Sequence, residues 1–117
     1  MSLNNALYSQ SAQTISSTEN SLTNNSTTVA TVTTTAVISL WLEVVNMAAG
    51  DEYQLVLREK AVSGGTQRSI TLANLIGVQG DPIYITAGYQ VGVGWDVTLK
   101  KIAGTDRAFS WTIRSIS

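Results

Sequence analysis

Apolar and polar residues alternate with a period of two along this chain from about Thr14 onward. Such alternation is typical of β-strands that bury one face, because successive side chains of a strand point to opposite sides of the sheet. Residues 37–45 and 91–99 alternate most clearly, and no stretch has the i, i+3, i+4 apolar spacing of an amphipathic helix. The pattern therefore predicts an all-β protein.

Turn-forming residues divide the chain into short segments. We expect strands near residues 14–18, 29–34, 37–45, 52–60, 67–76, 83–86 and 91–99, and a last strand through 109–113. Short strands at regular spacing, with turns between them, are typical of a sandwich or jelly roll. The prediction is one domain over residues 14–117, an antiparallel β-sandwich or jelly roll of about eight strands.

The phase of each alternation predicts which side chains form the core. The expected inward-facing residues are Ile38, Leu40, Leu42, Val44, Tyr53, Leu55, Leu57, Ile83, Ile85, Phe109, Trp111 and Ile113. The strand over 67–76 carries Ile70, Leu72 and Ile76, and the alternation over 91–99 carries Val91, Val93, Trp95, Val97 and Leu99. The opposite phase places Trp41, Val56 and Tyr84 on the outside. Together with Tyr89 they are candidate contacts, because an apolar stripe on an outer sheet face usually marks an interface. An aromatic platform for sugars, or an outer face covered by the N-terminal segment, are the alternatives.

The N-terminal segment differs from the rest, since residues 1–35 hold one charged residue, Glu19. Polar termini fray unless something holds them in place. We therefore expect residues 1–13 to form a polar arm that docks on a neighbouring subunit through Leu3, Leu7 and Tyr8. The alternative is that this segment folds back onto its own domain.

The 117-residue composition excludes several kinds of chemistry. The chain has no cysteine and no histidine, so it has no disulfide, no thiol nucleophile and neither of the two commonest zinc ligands. The net charge of −1 argues against binding nucleic acid through phosphate contacts, and no apolar stretch is long enough to cross a bilayer. We expect a non-enzymatic protein with no catalytic residues, cofactor or metal, and with neither a nucleic-acid nor a membrane partner.

Two weak motifs are interpreted as structural. The acidic groupings Asp51 with Glu52, and Asp96 with Asp106, lie at or beside turns, where aspartate caps the local backbone. The sequence Gly92-Val93-Gly94 lacks the third glycine and the following helix of a phosphate-binding loop.

Four cations share the outward phase of their strands, namely Arg58, Lys60, Lys100 and Arg114. If their strands are neighbours, these side chains form a modest basic strip. A solvated edge that discourages aggregation is the favoured interpretation. The alternative is that Arg58 and Lys60 bind an acidic protein surface.

Three stretches of running sequence carry a resemblance. They are residues 14–24 (TISSTENSLTN), residues 63–68 (SGGTQR) and residues 94–114, which include GWDVTLKK, AGTDR and SWTIR. They resemble a group of small β-sandwich proteins encoded in the structural-gene regions of tailed bacteriophages. The resemblance spans most of residues 14–116 and implies no catalytic residues.

The resemblance implies a virion structural protein, made in the bacterial cytoplasm and placed on the capsid surface. The expected role is that of a decoration, or cement, protein that stabilises contacts between subunits of the major capsid protein. We expect a homo-oligomer, with a trimer as the working hypothesis. The alternative is a tail, neck or head-fibre module that recognises a host glycan or another virion protein.

Overall fold

The computed structural model describes residues 5–116, and side chains within residues 6–115. All regular structure in this part of the chain is β-strand. The strands are β1 (Asn5–Ile15), β2 (Asn20–Ser21), β3 (Ala36–Glu43), β4 (Glu52–Glu59), β5 (Arg68–Ile76), β6 (Ile83–Ile85), β7 (Tyr89–Val91), β8 (Asp96–Ala103) and β9 (Arg107–Ile116).

The strands form two antiparallel sheets packed face to face. The five-stranded sheet has the order β1-β9-β3-β6, with β7 also paired to β3, and the four-stranded sheet has the order β2-β8-β4-β5. The predicted all-β sandwich is confirmed, with nine strands in the described residues rather than about eight.

The core lies between the two sheets and follows the predicted phases in β3, β4 and β9. In β5 the prediction is wrong, because Ile70 and Ile76 are exposed and Leu75 is buried instead. All the inward-facing residues predicted for β3, β4 and β9 are buried, and Trp95 is fully enclosed among them. The rings of Tyr53 and Phe109 join the two sheets edge to face, with centroids 4.7 Å apart. Burial of these alternating side chains is the main stabilising contribution in a sandwich.

The alternation over residues 91–99 does not form one strand. It is divided between β7 in one sheet and β8 in the other, and Gly92-Val93-Gly94 carries the chain between them. A Cβ atom on Gly94, whose φ is +144°, would lie 2.8 Å from Cε of Lys60. The glycines therefore permit a close crossing between sheets that the period-two pattern does not reveal.

Residues 5–13 belong to the sandwich. They lie in β1, which pairs with β9 along the edge of the five-stranded sheet, so the predicted arm boundary after residue 13 falls inside a strand. Leu7 and Tyr8 are half-buried against the core, and the Tyr8 ring meets that of Trp95 at 6.2 Å. Leu3 lies outside the described residues. Within the single chain, this segment folds back onto its own domain.

A long connection between β1 and β3 closes one side of the sandwich beside β8. It contains β2, and the predicted strand at 29–34 is reduced to one bridge, between Val32 and Trp95. Leu22 is buried, and its carbonyl accepts a hydrogen bond from the indole of Trp111. Asp96 accepts hydrogen bonds from the Thr23 hydroxyl at 2.8 Å and the backbone of Ala30 at 2.9 Å.

Candidate interaction surface

The outer face of the five-stranded sheet carries the largest aromatic side chain on the surface, Trp41. Trp41 of β3 pairs with Thr112 of β9 and Ile85 of β6, and the adjacent Glu43 pairs with Ser110 and Ile83. Directly paired residues point to the same side of a sheet, so these side chains share the outer face.

Four apolar side chains on this face form what we call the outer apolar patch: Val37, Trp41, Ile83 and Ile85. Ile83 and Ile85 are 42% and 48% exposed, and Val37 is exposed to a similar extent. Trp41 is half-buried among them. Clustered apolar side chains on a sheet face that no described residue covers are typical of a binding surface.

The predicted phase of β6 is wrong. Tyr84 pairs with the buried Leu42 and is half-buried against the core, while Ile83 and Ile85 point outward. The error arises because a three-residue strand contains too little alternation to reveal which face is buried. Pro82, immediately before β6, is typical of an edge strand but does not indicate its phase.

Two further outward candidates are not available as surface contacts. Tyr89 pairs with Ile38 and packs half-buried against the core. Val56 has the outward phase on β4 but is only 6% exposed. Its cross-strand neighbour Thr98 bonds Glu19, whose side chain also binds Arg58, so the chain's own residues occupy this part of the face. Trp41 alone remains of the four.

Charged side chains flank Trp41. The guanidinium carbon of Arg114 lies 3.8 Å from the centre of the Trp41 ring, a cation–π contact worth about 0.5–1 kcal/mol at an exposed site. Glu43 lies at the other end of the same shallow groove, whose volume is about 220 Å³. The rest of the lining is mostly hydroxyl and amide: Ser9, Gln10, Ser11, Ser110 and Thr112. The groove thus combines an apolar centre with a polar rim.

The four predicted cations do not form one strip. Arg114 lies on the five-stranded sheet, while Arg58 and Lys100 belong to the four-stranded sheet. Arg58 binds Glu19 through two hydrogen bonds of 2.6 and 2.9 Å. This interaction lowers the pKa of Glu19 and raises that of Arg58. Lys60 has its side-chain stem against Gly94.

Asp51 acts on the backbone of two turns. Its carboxylate is almost fully enclosed and accepts hydrogen bonds from Arg107 Nε at 2.7 Å, the Ala48 amide at 2.9 Å and the Thr105 amide at 3.1 Å. The hydrogen bond from Arg107, followed by those from Ala48 and Thr105, lowers the pKa of Asp51 to about 2. The hydrogen bonds that the Asp51 carboxylate accepts therefore all stabilise the fold.

Across residues 5–116 no group of three or more histidine, cysteine, aspartate or glutamate side chains is arranged to hold a metal ion. The same residues contain no helix long and apolar enough to span a membrane. No protein-family model, curated protein or solved structure was found to match the chain. The resemblance to phage β-sandwich proteins therefore stays a prediction.

Proposed function

We propose that this protein is a non-enzymatic structural component of a bacteriophage virion that docks on the major capsid protein as a decoration protein at the capsid surface. The outer apolar patch is the observation that carries the proposal. It places Trp41, Ile83 and Ile85 side by side on a rigid sheet, where the described part of the chain leaves them uncovered.

The surroundings of the patch suit contact with another protein. A specific interface buries roughly 800 Å² on each partner, with an apolar centre and a polar rim. Here the patch supplies the centre, and the rim consists mainly of hydroxyl and amide groups, which lose less on desolvation than charges do. Arg114 and Glu43 offer one charge of each sign for orienting the partner.

A decoration protein of this kind stabilises a shell through linkage. Because it binds the assembled capsid and not the separate subunits, its binding free energy adds to the stability of the assembled state. A homo-oligomer presents several patches at once and gains avidity for a shell of repeated subunits.

Glycan recognition through Trp41 has less support. A sugar ring stacks on the face of an indole, but the Arg114 guanidinium lies over the Trp41 ring. Arg114 must therefore move before a sugar can stack there.

The test uses particles of the phage that encodes the protein. Quantitative mass spectrometry of separated heads and tails is expected to find it in heads. Heads lacking the protein are then incubated with purified wild-type protein, with an Ile85→Lys variant and with a Val62→Lys variant. Val62 is an exposed apolar residue in the β4–β5 hairpin of the other sheet, which makes it a matched control.

We expect wild type and Val62→Lys to bind heads and to raise the resistance of the heads to heat. Ile85→Lys should bind at least about tenfold more weakly, because its lysine ammonium must be desolvated at the centre of the interface. Finding the protein only in tails would refute the capsid role. Equal binding by the two lysine variants would refute the assignment of the patch.

A further inference from the structure

The two sheets have four edges, and three of them are blunted. β6 and β7 are three-residue pieces separated by residues 86–88 and preceded by Pro82. β2 has two residues. β1 has two register shifts, and its Ala12 takes a left-handed conformation with φ of +50°. Short strands, proline and bulges are the usual protections against pairing of an open edge with another chain.

The fourth edge, β5, lacks most of these protections. It has nine residues and pairs only with β4 among the described strands, so the backbone groups on its other side face outward. After Arg68 it contains no charged residue and no proline. Ile70 is 51% exposed, although the side chain opposite it on β4, Leu57, is buried. A long, uncharged open edge of this kind is a template for strand addition.

A single bulge determines how a second strand can pair with this edge. Leu55 pairs with Ala73 and Val56 with Thr71, so Leu72 is an extra residue on β5. The bulge shifts the phase, so that Arg68, Ile70, Ala73 and Leu75 face the core side of the sheet.

The bulge selects the register in which two copies of β5 can pair with their faces matched. In an antiparallel pair related by a two-fold axis, side chains that are directly opposed must lie on the same face. With the axis between Thr71 and Leu72, Ile70 opposes Ala73 of the second copy, and Ser69 opposes Asn74 of the second copy. A uniformly alternating strand would match its faces about an axis through a residue instead. In β5 the central opposition of Thr71 and Leu72, at the bulge, is the one place where the two faces do not match. Arg68, the only charge on the strand, falls at opposite ends of the pair, so like charges do not meet.

We propose that β5 is a self-association edge: it pairs antiparallel with β5 of a second copy of this chain and joins two four-stranded sheets into one of eight strands. The partner strand would also cover Ile70. An isologous pair closes at two chains, so the proposal replaces the expected trimer with a dimer. It does not depend on a role in a virion and can fail or succeed separately.

The experiment measures the mass of the purified full-length chain by light scattering over a concentration series. Thr71 is exposed beside the proposed axis, so a Thr71→Lys variant places two ammonium groups side by side in the dimer. In the single chain the same lysine remains exposed and does not alter the fold. Thr14→Lys is the matched control, because Thr14 is an exposed threonine on the other long edge strand, β1.

We expect wild type and Thr14→Lys to have the mass of two chains, and Thr71→Lys to raise the dimer dissociation constant at least about tenfold. Thr71→Glu should dissociate likewise, and an equal mixture of the Lys and Glu variants should recover the two-chain mass. In wild type, hydrogen exchange of residues 68–76 should slow as concentration rises, a readout that needs no variant.

Three results would overturn the proposal. One is a single-chain mass for wild type at every concentration up to its solubility limit. Another is a three-chain or open-ended assembly, since a two-fold strand pair cannot produce it. The third is equal dissociation of the Thr71 and Thr14 variants with no recovery in the charge-swap mixture.

Discussion

Removing the Tyr53 hydroxyl tests whether one buried phenol holds the strand ends together. Tyr53 is fully buried, and its oxygen accepts a hydrogen bond from the Arg107 amide at 2.8 Å. The single O–H of this hydroxyl is shared between two carbonyl oxygens, that of Thr105 at 2.9 Å and that of Ile15 at 3.2 Å. It therefore connects β4 to the turn before β9 and to the end of β1.

The expected cost of Tyr53→Phe follows from the groups left without a partner. Phenylalanine keeps the ring contact with Phe109 and creates almost no cavity. An unsatisfied buried group costs about 1–3 kcal/mol, and we expect about 1–2 kcal/mol because Thr105 is exposed and water can replace the hydroxyl there. With an unfolding entropy near 2.1 cal/mol/K per residue, this corresponds to a fall in Tm of about 4–8 °C.

The assay is thermal unfolding followed by circular dichroism, with urea unfolding as a second measure of the free energy. All proteins are compared at one concentration, because association shifts Tm. Tyr84→Phe is the control, since that half-buried hydroxyl has no hydrogen-bond partner among the described residues, and its loss should change stability by less than about 0.5 kcal/mol. Equal Tm values for the two variants would refute the reasoning.

Three further predictions concern the turns and the edge strand. Because the pKa of Asp51 is lowered from 3.8 to about 2, its stabilising contribution is present above pH 3.8 and is lost as pH falls through 2. Tm should therefore fall less between pH 3.8 and 2 in Asp51→Asn than in wild type; the fall that remains includes the contribution of Glu19, whose pKa is also lowered. Ala12→Gly should stabilise by about 0.5 kcal/mol in urea unfolding by relieving a left-handed alanine, whereas Ala6→Gly on the same strand should destabilise by about 0.5–1 kcal/mol; the same sign for both would contradict this. Gly104→Ala should lower the free energy of unfolding by at least about 2 kcal/mol, because its Cβ would lie 2.3 Å from Oδ1 of Asp51 at a φ of +92°, while Gly80→Ala, in open space, should be neutral in the same assay.

The sequence by itself determined the all-β class and the buried residues of β3, β4 and β9, whereas the bulge in β5 and the place of residues 5–13 in β1 were not predicted. Eight-residue alternations such as those of β3 and β4 have a buried phase that is unambiguous, because a one-residue error would expose the whole apolar set. The predicted inward positions of β3, β4 and β9 are accordingly all buried. The outward phase of Trp41 follows from the same alternation and is confirmed by its pairing with Thr112 and Ile85.

The tertiary structure alone decided the surface and the edges. The outward position of Ile83 and Ile85 depends on the register of β6 against β3, and the burial of Val56 depends on a hydrogen-bonded cluster that includes Glu19, 37 positions earlier in the chain. The place of β1 in the sheet depends on β9, at the other end of the chain. Alternation shows which residues share a face within one strand. The face that becomes covered and the edge that stays open depend on pairing between distant segments of the chain, and local periodicity does not encode that pairing.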